Sequence, residues 1–394
     1  MTQGESPPAA YAAALAALPG IGPVTLVGLL TRHDPQTAWA RVLAGAERRP
    51  GPRTGAAAGA GRTPTPWAVA AGRADVAGRW GALVEAKIGV TWIGHAQYPA
   101  VLAVDPDPPG VVFWRGDLDA LDRLCVAIVG TRRCTHYGRE VAAELGQDLA
   151  GAGVCVVSGL ALGIDGAAHG GALEAGGAGP VGVAASGVDV VYPRRHAHLW
   201  ARVTAAGAII SETAPGHQAQ AWRFPARNRI IAGLARVVVV VESHAGGGSL
   251  LTVDAALDRG IDVAAVPGPV HSPASTGTNQ LLVDGARPVR HAGDVLQALG
   301  DLRPWPPPAQ PPLPGTEIDT ARAAPPDRLD AGAQRVLDAV DWTPTPVGTV
   351  AGRTGLAIAP LSMALHRLEG LGLVRDGGGW WERTRCSRST ETQK

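Results

Sequence analysis

The sequence predicts an α/β protein built around a doubly wound parallel sheet. Between residues 125 and 266, short runs rich in Val, Ile and Ala alternate with longer amphipathic stretches that are typical of helices. The runs are continuously apolar, which indicates strands that are buried on both faces. The helices between them supply the crossovers that parallel pairing requires. The six predicted strands are Cys125–Val129, Val154–Val157, Val181–Ala185, Ala208–Ile210, Val237–Val241 and Val263–Val266.

The length and composition agree with this fold class. A chain of 394 residues is long enough for about two or three domains. It has 46% apolar and 18% charged residues and no apolar run that could cross a bilayer, so we expect a globular protein without a membrane partner. Met1–Ala10 lacks the pattern of a signal peptide, which predicts a cytoplasmic location. The four cysteines form no C-x-x-C pair, and we expect no metal site, no disulfide framework and no cofactor.

Residues 1–85 are predicted to form a small N-terminal helical domain. The helical pattern of Tyr11–Ala44 is interrupted at Leu18–Pro23, where two glycines allow a tight turn. This arrangement resembles a helix-hairpin-helix of the SAM-like class, whose backbone N–H groups hold a nucleic-acid phosphate. An ordinary corner between two helices accounts for the same pattern, because the hairpin carries no basic residue. The low-complexity segment 48–66 is expected to be a flexible loop.

The sheet domain is predicted to span residues 86–300 and to be followed by a further small domain. Residues 301–328 contain repeated prolines, which predict a stiff, extended linker. Residues 329–385 show three helical patterns and then two short strands, which suggests a winged-helix-like domain. Such domains bind either DNA or proteins, and Arg353 and Arg367 are too few basic residues to decide between them. Residues 386–394 are expected to be a disordered tail.

The loops at the carboxyl ends of the strands are the expected ligand-binding positions of such a sheet. The first strand continues into Gly130–Arg133, where a glycine, two arginines and the start of a helix favour a phosphate. The second strand ends in Ser158 and Gly159. Gly246–Ser249 follows the valine-rich strand and opens another helix, so that it forms a second candidate phosphate site.

The segment Phe224–Arg229 has the highest density of candidate binding residues. Its arginines suit phosphates, the ring of Phe224 suits stacking on a base, and Asn228 suits hydrogen bonds to a base edge or a sugar. Together they suit a strand of nucleic acid. In the alternative interpretation the arginines pair with carboxylates at the edge of the core, such as Glu212 or Glu242.

Enzymatic interpretations have less support. Ser158, Asp165 and His169 could form a hydrolase-like trio, but no G-x-S-x-G motif surrounds Ser158. An Asp–His pair on one helical face more often braces its own loop. The chain has neither the G-x-G-x-x-G motif of a nicotinamide-binding fold nor a phosphate-binding loop of the G-x-x-x-x-G-K-[ST] type.

A series of motifs between about residues 110 and 290 resembles the DNA-processing protein A family (DprA/Smf). The flanking domains also resemble the architecture of this family. The motifs, in order along the chain, are Val129–Arg132, Ser158–His169, Gly187–Pro193, Ser211–Glu212, Phe224–Leu234, Gly248–Thr252, Val266–Gly268 and Gly277–Asn279.

The resemblance implies an extended Rossmann-like domain that binds single-stranded DNA and forms a homodimer. It also implies that the protein loads the RecA recombinase onto incoming DNA during natural transformation. Because the sequence shows no evident nucleophile, general base or metal cluster at the candidate anion sites, we expect that the protein is not an enzyme. We expect Asp165, His169 and Asn279 to support the pocket. The residues predicted to bind DNA or phosphate are Gly130, Arg132, Ser158, Gly159, Phe224, Arg227, Asn228, Arg229, Gly248 and Ser249.

The chain departs from the family pattern at two positions. Gly246–Gly247 and Ile261 replace residues that are basic or polar in many members, so that two cations are missing from the edge of the pocket. The alternative function is that of a nucleotide phosphoribohydrolase, because a group of such enzymes shares the Rossmann-like fold. Their catalytic Glu has no counterpart after Gly247–Thr252, where Val253 and Asp254 follow.

Overall fold

The structure is a computed structural model that describes residues 6–46, 65–301, 329, 331–341, 345–371, 373–376 and 380–383. Most of the predicted loop 48–66, the predicted linker after residue 301 and the predicted tail 386–394 lie outside the described residues. The chain divides into two compact units, and the predicted domain boundaries stay predictions. The first unit comprises Met1–Ala17, Val27–Gln36 and Asp75–Ala309, and the second comprises Leu18–Leu26, Thr37–Ala74 and Gln310–Lys394.

The described residues contain helices α1 to α16 and strands β1 to β12. The helices are α1 (Pro8–Ala16), α2 (Pro23–Arg32), α3 (Pro35–Leu43), α4 (Pro66–Gly72), α5 (Val76–Glu85), α6 (Ala100–Ala103), α7 (His136–Gly151), α8 (Ile164–Glu174), α9 (Ala197–Ala206), α10 (Arg223–Leu234), α11 (Leu250–Leu257), α12 (Thr276–Val283), α13 (Ala292–Asp301), α14 (Ala331–Ala339), α15 (Val347–Thr354) and α16 (Ile358–Gly370). The strands are β1 (Gly89–Trp92), β2 (Val111–Gly116), β3 (Cys125–Val129), β4 (Cys155–Ser158), β5 (Val181–Val183), β6 (Ala208–Ser211), β7 (Val237–Val240), β8 (Asp262–Ala265), β9 (Arg287–Pro288), β10 (Thr345–Pro346), β11 (Val374–Asp376) and β12 (Trp380–Arg383).

A nine-stranded sheet forms the centre of the first unit, in the order β1-β2-β6-β5-β4-β3-β7-β8-β9. The neighbouring strands β6, β5, β4, β3, β7, β8 and β9 all pair in parallel. At the β6 edge, β2 pairs antiparallel with β6, and β1 pairs antiparallel with β2. The predicted α/β fold with a doubly wound, mostly parallel sheet is confirmed. The six predicted strands correspond to β3 through β8; β3 has the predicted ends, and the ends of the other five differ by at most two residues.

Helices cover both faces of the sheet, which explains why the strands are continuously apolar. Along β3, Ala127 and Val129 pack into the core beneath α10 and α11. Val126 and Ile128 point to the opposite face and pack into the core beneath α7, α8 and α13. Each fully buried Val or Ile side chain contributes about 1.5–3 kcal/mol through burial, so both faces of every central strand must be apolar.

The C-terminal part of the second unit has the arrangement of a winged helix. Helices α14 to α16 enclose a core that contains Val336, Leu361, Leu365 and Trp381. Strand β12 pairs with β10 and β11 in a small antiparallel sheet. The predicted winged-helix-like domain is therefore confirmed. The side chain of Arg353, one of its two singled-out basic residues, forms an ion pair of 2.8 Å with Asp341.

Near the N-terminus, α1 ends at Ala16 and α2 begins at Pro23, so the predicted interruption of the helical pattern is confirmed. Gly20 in this turn has a φ of +74°, a conformation that glycine adopts without steric cost. None of the described helices combines the length and the apolar character needed to cross a membrane.

Candidate nucleic-acid interface

The candidate site lies where the chain changes direction across the sheet. Strand β3 pairs with β4 on one side and with β7 on the other. The helix after β3 (α7) and the helix after β7 (α11) cover opposite faces, so that their loops diverge at the carboxyl edge of the sheet. Such a switch point leaves a crevice in which doubly wound sheets bind ligands. A cleft of about 870 Å³ occupies this position, and we call it the main cleft.

The loop after β3 carries Arg132 into the main cleft on a tightly held backbone. The N–H of Thr131 donates to the carbonyl oxygen of Glu242 at 2.8 Å, and the N–H of Ile164 donates to the carbonyl oxygen of Thr131 at 3.3 Å. A Cβ atom on Gly130 would lie 2.6 Å from the side chain of Ile164 and 2.7 Å from the Glu242 carbonyl oxygen. Only glycine allows this close approach of the backbone. The side chain of Arg132, two residues further on, is exposed.

Helix α10 supplies the opposite wall of the main cleft. Phe224, Arg227 and Asn228 line the cleft, and their spacing of three and four residues puts them on one helical face. The guanidinium of Arg132 lies 4.8 Å from the centre of the Phe224 ring, in a cation–π contact. A positive charge and an aromatic ring therefore stand together at the cleft.

Arg227 forms the floor of the site. It is buried, and its Nη1 donates to the carbonyl oxygen of Gly159 at 2.7 Å and to that of Val183. Burial lowers the pKa of Arg227 to about 10, although the nearby Asp165 carboxylate acts in the opposite direction, so the side chain is charged at neutral pH. Its Nε has no hydrogen-bond partner among the described residues.

Asp165 shapes the loop after β4. Its Oδ2 accepts hydrogen bonds from the N–H of Gly159 at 3.1 Å and from that of Ala161 at 3.4 Å. Burial raises the pKa of the Asp165 carboxyl, while Arg227 and the two backbone donors act against this rise. Asp165 thus holds the loop and opposes the charge of Arg227.

The hydrolase-like trio does not assemble. The hydroxyl of Ser158 is buried and donates to the carbonyl oxygen of Ile128 at 2.6 Å, so it links β4 to β3. His169 is also buried, and neither ring nitrogen has a hydrogen-bond partner in the described part of the chain. Burial lowers the pKa of His169 to about 3, and its imidazole is neutral at physiological pH.

The start of α11 presents free donors to the main cleft. Gly248 and Ser249 line the cleft, and within the described ranges their backbone N–H groups have no hydrogen-bond partner. The side chain of Asn228 donates to the carbonyl oxygen of Gly248 at 3.4 Å, and the hydroxyl of Ser249 donates to that of Ser243 at 2.9 Å. At the predicted second phosphate site, side-chain hydrogen bonds therefore hold the loop, and the backbone N–H groups of Gly248 and Ser249 are available to a ligand.

The start of α7, by contrast, is already occupied by a carboxylate of the chain itself. Glu242 accepts hydrogen bonds from the N–H of Thr135 at 2.8 Å and from its hydroxyl at 2.6 Å. The sequence predicts a negative charge at this helix start, and the carboxylate of Glu242 supplies one. The sequence alone gave no sign that Glu242 reaches across from the loop after β7.

Arg229 does not reach the main cleft. Its guanidinium forms ion pairs with Glu212 and Asp107, and its Nη1 also donates to the carbonyl oxygen of Asp107 at 2.8 Å. Burial alone would lower the pKa of Arg229, but the carboxylates outweigh it and raise this pKa. For this residue the structure has the ion-pair arrangement that was the alternative interpretation of the sequence.

The main cleft thus brings together most, but not all, of the sequence-predicted residues. Gly159 lies beside it, in a smaller adjoining cleft. Ser158, Arg229 and His169 lie away from both clefts, as does Asn279, which forms two hydrogen bonds with the backbone of Gly268 at 3.0 and 3.1 Å. The predicted residues that line the main cleft are Gly130, Arg132, Asp165, Phe224, Arg227, Asn228, Gly248 and Ser249.

Sequence reasoning did not include two residues of the clefts, His244 and Tyr192, among the candidate binding residues, whereas Arg133 belonged to the predicted phosphate-binding loop Gly130–Arg133. Arg133 and His244 line the main cleft, and Tyr192 lines the adjoining one. Tyr192 had a signal in the sequence, because it is one of four tyrosines and follows the third predicted strand closely. The described residues contain no group of three or more His, Cys, Asp or Glu side chains that could hold a metal ion.

Comparisons with known proteins agree with this architecture. Residues 89–300 match the family model of DNA recombination-mediator protein A, and residues 320–379 match that of the DprA winged helix domain. Protein Smf of Escherichia coli is 36% identical over 291 residues, which are 73% of this chain and 75% of that protein. The DNA processing protein DprA of Streptococcus pneumoniae is 41% identical over 199 residues, which are 50% of this chain and 70% of the relative.

A solved structure gives the same result. The X-ray structure of DNA processing protein A from Streptococcus pneumoniae superimposes with a TM-score of 0.60 at 31% identity, and the match covers 73% of this chain and 95% of that one. The fold, the family models and the sequence identity are thus in agreement. The chain belongs to the DNA recombination-mediator protein A family of DNA-processing proteins.

Proposed function

We propose that this protein binds single-stranded DNA without sequence preference and acts as a recombination mediator. In this role it protects incoming DNA and loads RecA onto it in the cytoplasm during natural transformation. The observation that carries the proposal is the contact between the exposed guanidinium of Arg132 and the ring of Phe224 at the main cleft. The chain belongs to a family described as DNA recombination-mediator protein A, which supports the mediator role.

The chemistry of the main cleft suits a flexible single strand better than a duplex. Arg132, Arg133 and the open N–H groups of Gly248 and Ser249 suit phosphate oxygens, which are the same in every sequence. The Phe224 ring suits a base that has left its stack, and every base has a face that can stack on an aromatic ring. Bases in a duplex are already stacked on one another, so a preference for single strands follows.

We propose that the protein forms a homodimer through its Rossmann-like domain. Leu257, Val270 and Val283 are 62%, 82% and 81% exposed, and they are the most exposed large apolar side chains described in this domain. Exposed apolar side chains that form a contiguous patch favour burial against a second molecule.

We also propose that the protein is not an enzyme. The buried hydroxyl of Ser158 is engaged with a strand carbonyl, and within the described residues the neutral His169 has no partner that would make it a general base. The phosphoribohydrolase alternative predicts the release of free base from nucleoside monophosphates. Sustained release by the purified protein would contradict the proposal.

The proposal is tested by the binding of fluorescent oligo-dT over a range of salt concentrations. Arg132→Ala should weaken binding and lower the salt dependence by about 0.7 in log–log slope, because one phosphate contact is lost. Phe224→Ala should weaken binding about 5- to 150-fold with an unchanged slope, because stacking releases few ions. Arg290→Ala removes an exposed arginine that lies outside the clefts, and it serves as the matched control.

Three results would decide against the proposal. Binding isotherms that are the same for the wild type, Arg132→Ala and Phe224→Ala would exclude the main cleft as the DNA site. A duplex that binds as tightly as oligo-dT would exclude the preference for single strands. RecA filament formation on oligo-dT that the protein does not accelerate would exclude the mediator role.

A further inference from the structure

A second, smaller cleft adjoins the main cleft across the Phe224 ring. It has a volume of about 50 Å³ and lies beyond the carboxyl ends of β4 and β5. Arg132, Ala161, Phe224 and Arg227 line both clefts. The remaining lining residues of the second cleft are Gly159, Leu162, Ala185, Tyr192 and Pro193. A strand bound at Arg132 is therefore within reach of two recesses that are both lined by Phe224.

Tyr192 is the aromatic side chain that distinguishes the second cleft. Tyr192 is 43% exposed as a residue, and the centres of the Tyr192 and Phe224 rings lie 5.4 Å apart at an angle of 49°. Its hydroxyl has no hydrogen-bond partner among the residues that the structure describes. The ring is thus held against Phe224 while a face and the hydroxyl stay available. An exposed ring with an open polar end suits a ligand that is partly apolar and partly polar, such as a nucleobase.

The tilt between the two rings favours one base on each ring. Rings that meet at 49° do not form a continuous stack, so a strand that crosses them must separate neighbouring bases. Arg132 lies over the Phe224 ring, where it can hold the phosphate between two such bases. The second cleft is too small to enclose a whole base, so it receives one edge while the base lies on Tyr192.

Arg227 adds a polar contact below both positions. It is buried and lines both clefts, and the described residues offer no hydrogen-bond partner to its Nε. An unsatisfied buried donor is unfavourable, and a carbonyl oxygen on a base edge would satisfy it. The second cleft therefore has a stacking surface and a buried donor beside it.

We propose that Tyr192 is a second base-stacking platform, so that two neighbouring bases of a single strand turn into the two clefts on either side of Arg132 and Phe224. The proposal rests on the proposed binding of single-stranded DNA and adds a named position to it. It assigns Phe224 and Tyr192 to different bases of the same strand.

The test combines variants of Tyr192 with oligonucleotides that lack one base. The probe is the shortest oligo-dT that binds with full affinity, so that its register is fixed, and a single abasic site is moved along it. For the wild type we expect two neighbouring positions at which loss of the base weakens binding about 5- to 150-fold. Tyr192→Leu should weaken binding of the intact probe to a similar extent and remove the sensitivity at one of these positions. Tyr192→Phe, which keeps the ring, should retain both.

Tyr137→Leu is the matched control. Tyr137 is 44% exposed, it lies outside both clefts, and its hydroxyl donates to the carbonyl oxygen of Pro267 at 3.1 Å. The Tyr137→Leu variant should bind the probe with the same affinity as the wild type. Tyr192→Leu with unchanged affinity and both sensitive positions would overturn the second platform. If the Tyr192→Phe variant binds the probe as weakly as Tyr192→Leu does, stacking is excluded as the role of the ring.

The outcomes separate this proposal from the proposed function. If Phe224→Ala and Arg132→Ala weaken binding and Tyr192→Leu does not, the second platform fails and the DNA-binding function stands. If the wild type binds no oligo-dT, the proposed function itself fails.

Discussion

Replacing Arg229 should affect the stability of the protein and leave the DNA-binding site intact. Arg229 belongs to the cluster of candidate residues in the sequence, yet its side chain is only 12% exposed and pairs with Glu212 and Asp107. Glu212 is itself 18% exposed, and its burial raises the pKa of its carboxyl against the attraction of Arg229. Removing the guanidinium leaves this carboxylate largely buried without its principal counter-charge.

The expected cost of Arg229→Met is about 3–5 kcal/mol, the usual cost of removing one partner from a buried ion pair. We expect the lower part of this range, because Arg223 still attracts Glu212 and because Glu212 can take up a proton. For a domain of this size, such a loss corresponds to a decrease of about 6–20 °C in melting temperature. A Met side chain keeps most of the apolar packing, so that the change reports mainly on the charge.

Thermal unfolding followed by circular dichroism measures the effect, and the double variant Arg229→Met with Glu212→Gln tests its cause. The double variant should recover part of the loss, because it removes the unpaired carboxylate as well. The salt dependence of oligo-dT binding by folded Arg229→Met should equal that of the wild type. Two results together would refute this reasoning: Arg229→Met melts within about 2 °C of the wild type, which is a loss of less than about 1 kcal/mol, and its oligo-dT binding also depends less on salt concentration.

Two further predictions concern buried groups that do not line the clefts. The pKa of His169 is about 3 in the folded protein and about 6.5 in the unfolded protein. Between these values only the unfolded state binds a proton at this residue. The free energy of unfolding should therefore fall by about 2 kcal/mol as the pH decreases from about 6.5 to about 5. Urea denaturation should show this loss for the wild type and for His198→Gln, an exposed control, but not for His169→Leu. Glu242→Gln removes the negative charge at the start of α7 and should cost about 1–3 kcal/mol in the same assay. An unchanged urea midpoint would mean that neutral Gln caps the helix equally well.

The central strands were predictable because the sheet buries both of their faces. Each of the six predicted strands is a continuous apolar run followed by a helical stretch, and this combination has few other solutions. Strands β1, β2 and β9 were not predicted. β1 and β2 precede the repeating strand–helix pattern and pair antiparallel at the sheet edge, and β9 has only two residues. Such strands depend on a neighbouring strand more than on their own sequence.

The candidate site was predictable in its residue types but not in the directions of its side chains. The segment Phe224–Arg229 and the apolar stretch that follows it belong to one helix, α10. Pro225 is compatible with this helix, because a proline in the first turn removes no helical hydrogen bond.

The helix separates residues that the sequence places together. Residues two apart on a helix point about 200° away from each other, so Arg227 and Arg229 cannot serve the same cleft. Phe224, Arg227 and Asn228, at spacings of three and four, share one face, and it is this face that lines the main cleft. Arg229 therefore turns to Glu212 and Asp107 for the same geometric reason that Arg227 reaches the cleft floor. A substitution that broke α10 would remove both arrangements at once, whereas Arg132, held by the loop after β3, would keep its place.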